Sequence, residues 1–114
     1  MEIKLYSNPN DPGVCWIKPY GFEYICDDEW GYPIYEELPP YIGFNPEHII
    51  EYAQNLGINP FQYLYFSILH ELGHLIQGEY DENIENEFMA WKYARMIDPT
   101  IPGSIILTAL CSYM

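Results

Sequence analysis

The segment His70-Glu71-Leu72-Gly73-His74 sets two imidazoles four residues apart, with a carboxylate beside the first. On a helix each residue advances about 100°, so positions 70 and 74 lie about 40° apart and one turn along, aimed at one point in space. Two neutral imidazoles so placed can hold a divalent metal ion. Glu71 projects from the adjoining edge of that face, where it reaches a water on the metal rather than the metal itself. The pattern is HExxH, and the chemistry it permits is hydrolysis by a zinc-activated water with a glutamate as general base.

Such a site has three protein ligands and one open position, so a third ligand is expected downstream. Residues 81 to 97 open on a capping residue and an acidic first turn and carry Lys92 and Arg95 toward their end, the charge order of a helix. Its apolar stripe runs through Ile84, Phe88, Trp91 and Ala94, and Glu87 falls within that stripe. Glu85 lies about 200° from Glu87, on the polar side. A carboxylate on a buried stripe needs a partner, because an unpaired buried charge is costly. Glu87 therefore reads as the third ligand, with Glu85 as the substitute. Small Ala90 and Ala94 on one helix and Gly73 on the other would let the two backbones approach closely.

In these features the chain resembles the gluzincin metallopeptidases, which pair an HExxH helix with a glutamate from a following helix. The run Asn86-Glu87-Phe88-Met89-Ala90 looks like the NExxA signature of that group, and the small size of the chain makes it most similar to the minigluzincins. Those are soluble single-domain proteins related to the catalytic domains of membrane-embedded CAAX-processing peptidases. The resemblance implies that His70, His74 and Glu87 bind one catalytic zinc ion and that Glu71 is the catalytic base. It also places Ile42, Gly43 and Phe44 on the strand that holds an extended substrate, and implies latency through C-terminal segments. One departure concerns Trp91. Related signatures often carry an aspartate there, and its loss removes a carboxylate that could orient a ligand histidine. Gluzincins also draw an oxyanion-stabilising His or Tyr from a C-terminal region, where Tyr113 is the sole counterpart here.

The elements that must position these residues are legible around them. Asn59-Pro60 forms a cap followed by proline at the first helical position, and Gly78 is a stop, so the metal helix is predicted over about 60 to 77. Phe61, Leu64, Tyr65, Ile68, Leu69, Leu72, Leu75 and Ile76 keep helical apolar spacing along it. Asn45, Pro46 and Gly57 bound a preceding helix over 46 to 56, with Ile49, Ile50, Ala53 and Leu56 as its face. His48 on that helix, between Glu47 and Glu51, reads as a solvated residue and not a ligand. Residues 8 to 40 interleave prolines and glycines with short aromatic and β-branched runs, which reads as strands joined by turns. The run Tyr41-Ile42-Gly43-Phe44-Asn45 is bounded by Pro39-Pro40 and Pro46 and reads as an edge strand, whose free N–H and C=O groups could hold a peptide by strand addition. The expected architecture is α+β: a small antiparallel or mixed sheet from the first 45 residues, packed on helices near 46 to 56, 60 to 77, 82 to 97 and 104 to 113.

Composition bounds the rest. The 114 residues, with 12 Tyr, 5 Phe and 3 Trp, can build one core but hardly two, so a single domain over 1–114 is expected. Seventeen acids against four cations leave a formal charge of −13, which repels phosphate backbones and anionic lipid and argues against nucleic-acid or membrane partners. Cys15, Cys26 and Cys111 form no CxxC and no disulfide framework, and free thiols are expected. Without a basic start and an apolar run at the N-terminus, the chain reads as soluble and cytoplasmic. After the hinge-like Asp98-Pro99-Thr100-Ile101-Pro102-Gly103 come eleven residues with no charged side chain, which have to be buried. They could complete the core, cover the chain's own groove, or enter the groove of a second copy, giving a homodimer by exchange of the 99–114 tail. Two functional classes follow: a zinc metallopeptidase acting on peptide or protein substrates and latent through its tail, and a non-catalytic zinc-stabilised interaction module.

Overall fold

The computed structural model describes residues 3–18 and 21–113. Met1 and Glu2 of the N-terminus and Met114 of the apolar tail lie outside the described residues. Among the described residues five strands precede four helices: β1 (Lys4–Ser7), β2 (Cys15–Lys18), β3 (Gly21–Asp27), β4 (Pro33–Leu38), β5 (Tyr41–Phe44), α1 (Pro46–Leu56), α2 (Pro60–Gln77), α3 (Ile84–Ile97) and α4 (Gly103–Cys111). The fold is α+β.

The strands form two sheets rather than one. A mixed three-stranded sheet has the order β1-β5-β2, with β1 parallel and β2 antiparallel to β5, while β3 and β4 pair with each other as a separate hairpin. The expectation of an edge strand at Tyr41–Phe44 is thereby corrected. β5 is central: Ile42 is paired in register with Leu5 on one side and Ile17 on the other, so the backbones of Ile42, Gly43 and Phe44 are already engaged. The flanking prolines bound β5 without leaving it open, because the partner that closes its second side, β1, comes from far away in sequence. The open edges of this sheet are β1 and β2. The hairpin projects its apolar residues outward, with Phe22, Trp30 and Tyr32 largely exposed.

The helix ends follow from local chemistry. Asn45 accepts hydrogen bonds from the backbone N–H groups of Glu47 and His48, and its own Nδ2 donates to the carbonyls of Pro9 and Asp11, which ties the start of α1 to the loop before β2. Asn59 caps α2 in the same way through Phe61 N–H. Gly57 and Gly78 terminate α1 and α2 at φ of 70° and 75°, a left-handed conformation that costs glycine little. His48 is less solvated than its neighbours imply: its Nδ1 lies 3.1 Å from the carbonyl of Gly13.

The core lies between α2, α3 and the tail. Phe66, Leu69, Trp91, Ala94, Ile101 and Ile105 form one buried cluster. The predicted apolar faces are shifted in places. On α3, Ile84 and Phe88 are exposed, and the buried stripe is Glu87, Ala90, Trp91 and Ala94. On α2, Phe61, Tyr65 and Ile76 are exposed, whereas Ser67, Glu71, Gly73 and His74 are buried. A polar side therefore faces inward at the middle of both helices. Of the three places open to the tail, α4 takes the first at its start, where Ile101 and Ile105 complete the core, and its far end reaches toward the polar side of α2. Among the described residues, no helix is long and apolar enough to cross a membrane.

Candidate metal centre

The two helices that carry the motif residues meet through their smallest side chains. At Gly73 an added Cβ would collide with the carbonyl oxygen of Ala90 and lie 2.8 Å from its carbonyl carbon, so α2 and α3 touch backbone to backbone there. That contact is one turn from His70 and next to His74 on α2, and one turn from Glu87 on α3. Glu87 can then reach both imidazoles.

Its carboxylate spans the pair. Glu87 Oε2 lies 2.6 Å from His70 Nε2 and Glu87 Oε1 lies 3.1 Å from His74 Nε2. One ligand atom from each of the three residues falls within 4.8 Å of the others, which makes His70, His74 and Glu87 a group that could hold a metal ion. Glu87 is 3% exposed and His74 5% exposed. Glu85, the substitute, is exposed and stands outside the group.

Two details test whether these residues fit a metal. First, His70 Nε2 and Glu87 Oε2 approach closely but lack the alignment of a hydrogen bond, and both are buried without a hydrogen-bond partner. Buried polar atoms left unpaired are rare and call for an unseen partner. Second, His74 Nδ1 lies 3.1 Å from the backbone carbonyl of Glu79, just past the Gly78 stop. With Nδ1–H donating to that carbonyl, Nε2 keeps its lone pair free and aimed at the shared point, the arrangement of ligand histidines. Nothing in the sequence marks Glu79, because the acceptor is main chain.

Electrostatics agree with the geometry. Burial alone would push the His70 imidazole down, but the carboxylates of Glu71 and Glu87 outweigh it and hold the group at about 9. Burial likewise opposes ionisation of Glu87, yet the two histidines beside it bring its carboxyl down to about 2.

Glu71 faces the site without joining the ligand group. It is 7% exposed, and its Oε1 is 3.6 Å from His70 Nδ1, beyond hydrogen-bond reach. Together with His70, His74 and Glu87 it lines a cavity of about 140 Å³ whose remaining walls include β2 residues Cys15 to Ile17 and Tyr113. A wider groove of about 620 Å³ continues past Cys15, Ser67 and Trp91 to Ile105 and Ala109 of α4. The three cysteines are free, and burial followed by the charge of Glu71 pushes the Cys15 thiol up, so it is a neutral wall of the site. Tyr113 is held up to about 12, by burial first and then by the carboxylates of Glu87, Glu82 and Glu71, so its hydroxyl keeps its proton in this cavity.

The residues singled out by the motif thus converge, while Ile42, Gly43 and Phe44 stand one strand back. The bulk of Trp16 covers Gly43, and it is β2 that borders the cavity. Strand alternation gives no sign of which strand neighbours the metal helix, which is why β2 escapes a reading from sequence. No protein-family model, curated protein or solved structure matches this chain, so the reading of the centre rests on its own geometry.

Proposed function

We propose that the chain is a zinc-dependent metallopeptidase of the gluzincin type, in which His70, His74 and Glu87 hold the ion and Glu71 is the general base. The observation that carries this reading is the convergence of His70 Nε2, His74 Nε2 and both oxygens of a buried Glu87, with His70 Nε2 and Glu87 Oε2 in contact yet without hydrogen-bond alignment, beside a buried Glu71. Two imidazoles and one carboxylate suit zinc better than magnesium or calcium, which favour all-oxygen sets. Bound there, zinc would supply a water reactive near neutral pH and a positive charge that polarises a peptide carbonyl.

The chain's own groups do the rest. Glu71 takes the proton of the attacking water on a carboxylate oxygen and returns it to the leaving amine, a task that demands a nearby but non-ligating carboxylate. His74 is held in one tautomer by the Glu79 carbonyl. The outer edge of β2 is the surface on which an extended peptide could add as a strand beside the cavity. Tyr113 offers a protonated hydroxyl to charge developing on the carbonyl oxygen, a contribution of about 10²- to 10³-fold in related cases.

The same Tyr113 supports the latent form, since it lines the cavity a substrate would enter. Exchange of the whole tail between two copies would refill each core with the partner's equivalent side chains, so burial of Ile101 and Ile105 does not decide between a swapped tail and a local cover by the last residues. Deleting residues 112 to 114 separates the two roles: cleavage of an unstructured peptide rises if they act as a cover, and falls if Tyr113 is the donor.

The deciding experiment pairs metal analysis with peptide cleavage. The purified chain should carry one zinc, and Glu71→Gln should keep the zinc while losing cleavage. A zinc-loaded chain in which neither the full-length form nor the 112–114 deletion cleaves any peptide would favour the alternative, a module in which the metal staples α2 to α3 without catalysis.

A further inference from the structure

Ligand histidines are normally oriented by a hydrogen bond from the ring nitrogen that does not meet the metal. His74 has such a partner in the Glu79 carbonyl, whereas among the described residues His70 Nδ1 has none within hydrogen-bond reach, with Glu71 Oε1 3.6 Å away. Glu71 is moreover the group required for proton transfer, so a firm tie to His70 would compete with that task. The plane of the His70 ring must be set by something else.

The indole of Trp91 lies flat against it. The ring centroids are 4.4 Å apart and the planes differ by 11°. His70 also meets the ring of His74 at 4.7 Å and 63°, so two rings, one parallel and one tilted, contact the imidazole. The indole is itself fixed, since Trp91 is 5% exposed and packs in the cluster of Phe66, Leu69, Ala94, Ile101 and Ile105. Its Nε1 is buried without a hydrogen-bond partner. Filling the core alone would be done at lower cost by an aromatic or aliphatic side chain with no N–H to strand. Trp91 also follows Glu87 by one helical turn, so the third ligand and the ring that orients the first are carried on one rigid face of α3.

We propose that Trp91 is a positioning residue of the metal centre: face-to-face stacking on His70 fixes the ring plane and does the orienting work that a hydrogen bond does for His74. This rests on the metal reading above. It also accounts for the chain's departure from signatures that carry an aspartate at this position, since a flat ring replaces a carboxylate as the restraint.

The test measures zinc affinity by competition with a chromophoric chelator. Trp91→Leu should weaken zinc binding about 10- to 100-fold, the usual effect of losing an outer-shell partner, and Trp91→Phe, which restores a flat ring, should recover most of the loss. Ile49→Ala, a core change on α1 outside the Trp91 cluster, should leave affinity within about twofold while lowering the melting temperature. In the unsubstituted protein, proton–proton contacts by NMR between the Trp91 indole and the His70 ring should persist on zinc loading, a readout independent of whether the variants fold. Loss of those contacts on loading, a folded Trp91→Leu protein that binds zinc as tightly as the parent, or a Trp91→Phe protein as weak as Trp91→Leu would each overturn the proposal. An unsubstituted chain that binds no zinc would bring down the metal reading itself, whereas tight parent binding with an unaffected Trp91→Leu protein would sink the stacking role alone.

Discussion

Gly73→Ala is the substitution in which helix propensity and tertiary packing oppose each other most directly. Within an isolated helix, alanine in place of glycine is worth about 1 kcal/mol in favour of folding. Here the new Cβ would collide with the Ala90 carbonyl oxygen and lie 2.8 Å and 3.0 Å from the Ala90 carbonyl carbon and Cα. Every one of these atoms is backbone, so no rotamer change relieves the clash. Reaching an ordinary contact of about 3.4 Å requires about 0.6 Å of separation between α2 and α3, and more at the oxygen. Overpacking of this kind costs roughly 1–3 kcal/mol when side chains can yield, and a backbone collision belongs at or beyond the upper end. The net expectation is about 2 kcal/mol of destabilisation, or about 8 °C in melting temperature at this chain length. Because His70 and His74 sit on α2 and Glu87 on α3, the same separation exceeds the roughly ±0.2 Å within which metal ligands must fall, and zinc affinity should drop by at least about tenfold. Urea unfolding and chelator competition measure the two effects, with Gly103→Ala, which meets nothing within 4 Å, as the control. A Gly73→Ala protein at least as stable as its parent, with unchanged zinc affinity, would refute the claim that close helix approach builds the centre.

Other expectations are open to direct measurement. Glu71→Gln should bind zinc normally yet lose about 10²- to 10⁴-fold in peptide cleavage, read by turnover of a quenched fluorogenic peptide. Asn45→Ala should cost about 2–4 kcal/mol in urea unfolding, since it removes the α1 cap and strands the carbonyls of Pro9 and Asp11 that its Nδ2 now serves. The metal-free protein should show a particular pH dependence. His70 is raised from 6.5 to about 9, so its contribution is fully present below pH 6.5 and is lost as pH rises through about 9; Glu87 is lowered from 4.5 to about 2, so its contribution is present above pH 4.5 and lost as pH falls toward 2. Unfolding in EDTA should therefore place the pair's greatest contribution between pH 4.5 and 6.5, and a flat profile across pH 6.5 to 9 would count against the His70–Glu87 contact. Truncation at Asp98 should destabilise the chain severely by removing Ile101 and Ile105 from the core, whereas deletion of 112 to 114 should leave the melting temperature nearly unchanged.

What could be read from the residues in order is what depends on neighbours along the chain. Asn45 with Gly57 and Asn59 with Gly78 mark the ends of α1 and α2 to the residue, because caps satisfy backbone groups within a single turn. The four-residue spacing of His70 and His74 and the place of Glu87 on the stripe of α3 are likewise helical periodicity, and they bring together three side chains that could hold a metal ion. The exposure of Phe61 and Phe88 escaped that logic, since periodicity gives a face but not which part of it meets a neighbour.

Long-range pairing determined the remainder. β5 lies at the centre of its sheet because β1, more than thirty residues earlier, closes its second side, and no local pattern in Tyr41–Phe44 encodes that partner. The Glu79 carbonyl on His74, the indole of Trp91 against His70 and the reach of Tyr113 into the cavity all depend on how α2, α3 and α4 dock. The three residues that could hold a metal were thus written in sequence spacing, while the groups that orient and surround them exist only once separate elements pack. The physical reason is range: a helical turn brings i and i+4 together whatever surrounds it, but orientation, burial and strand order are properties of contacts between distant segments.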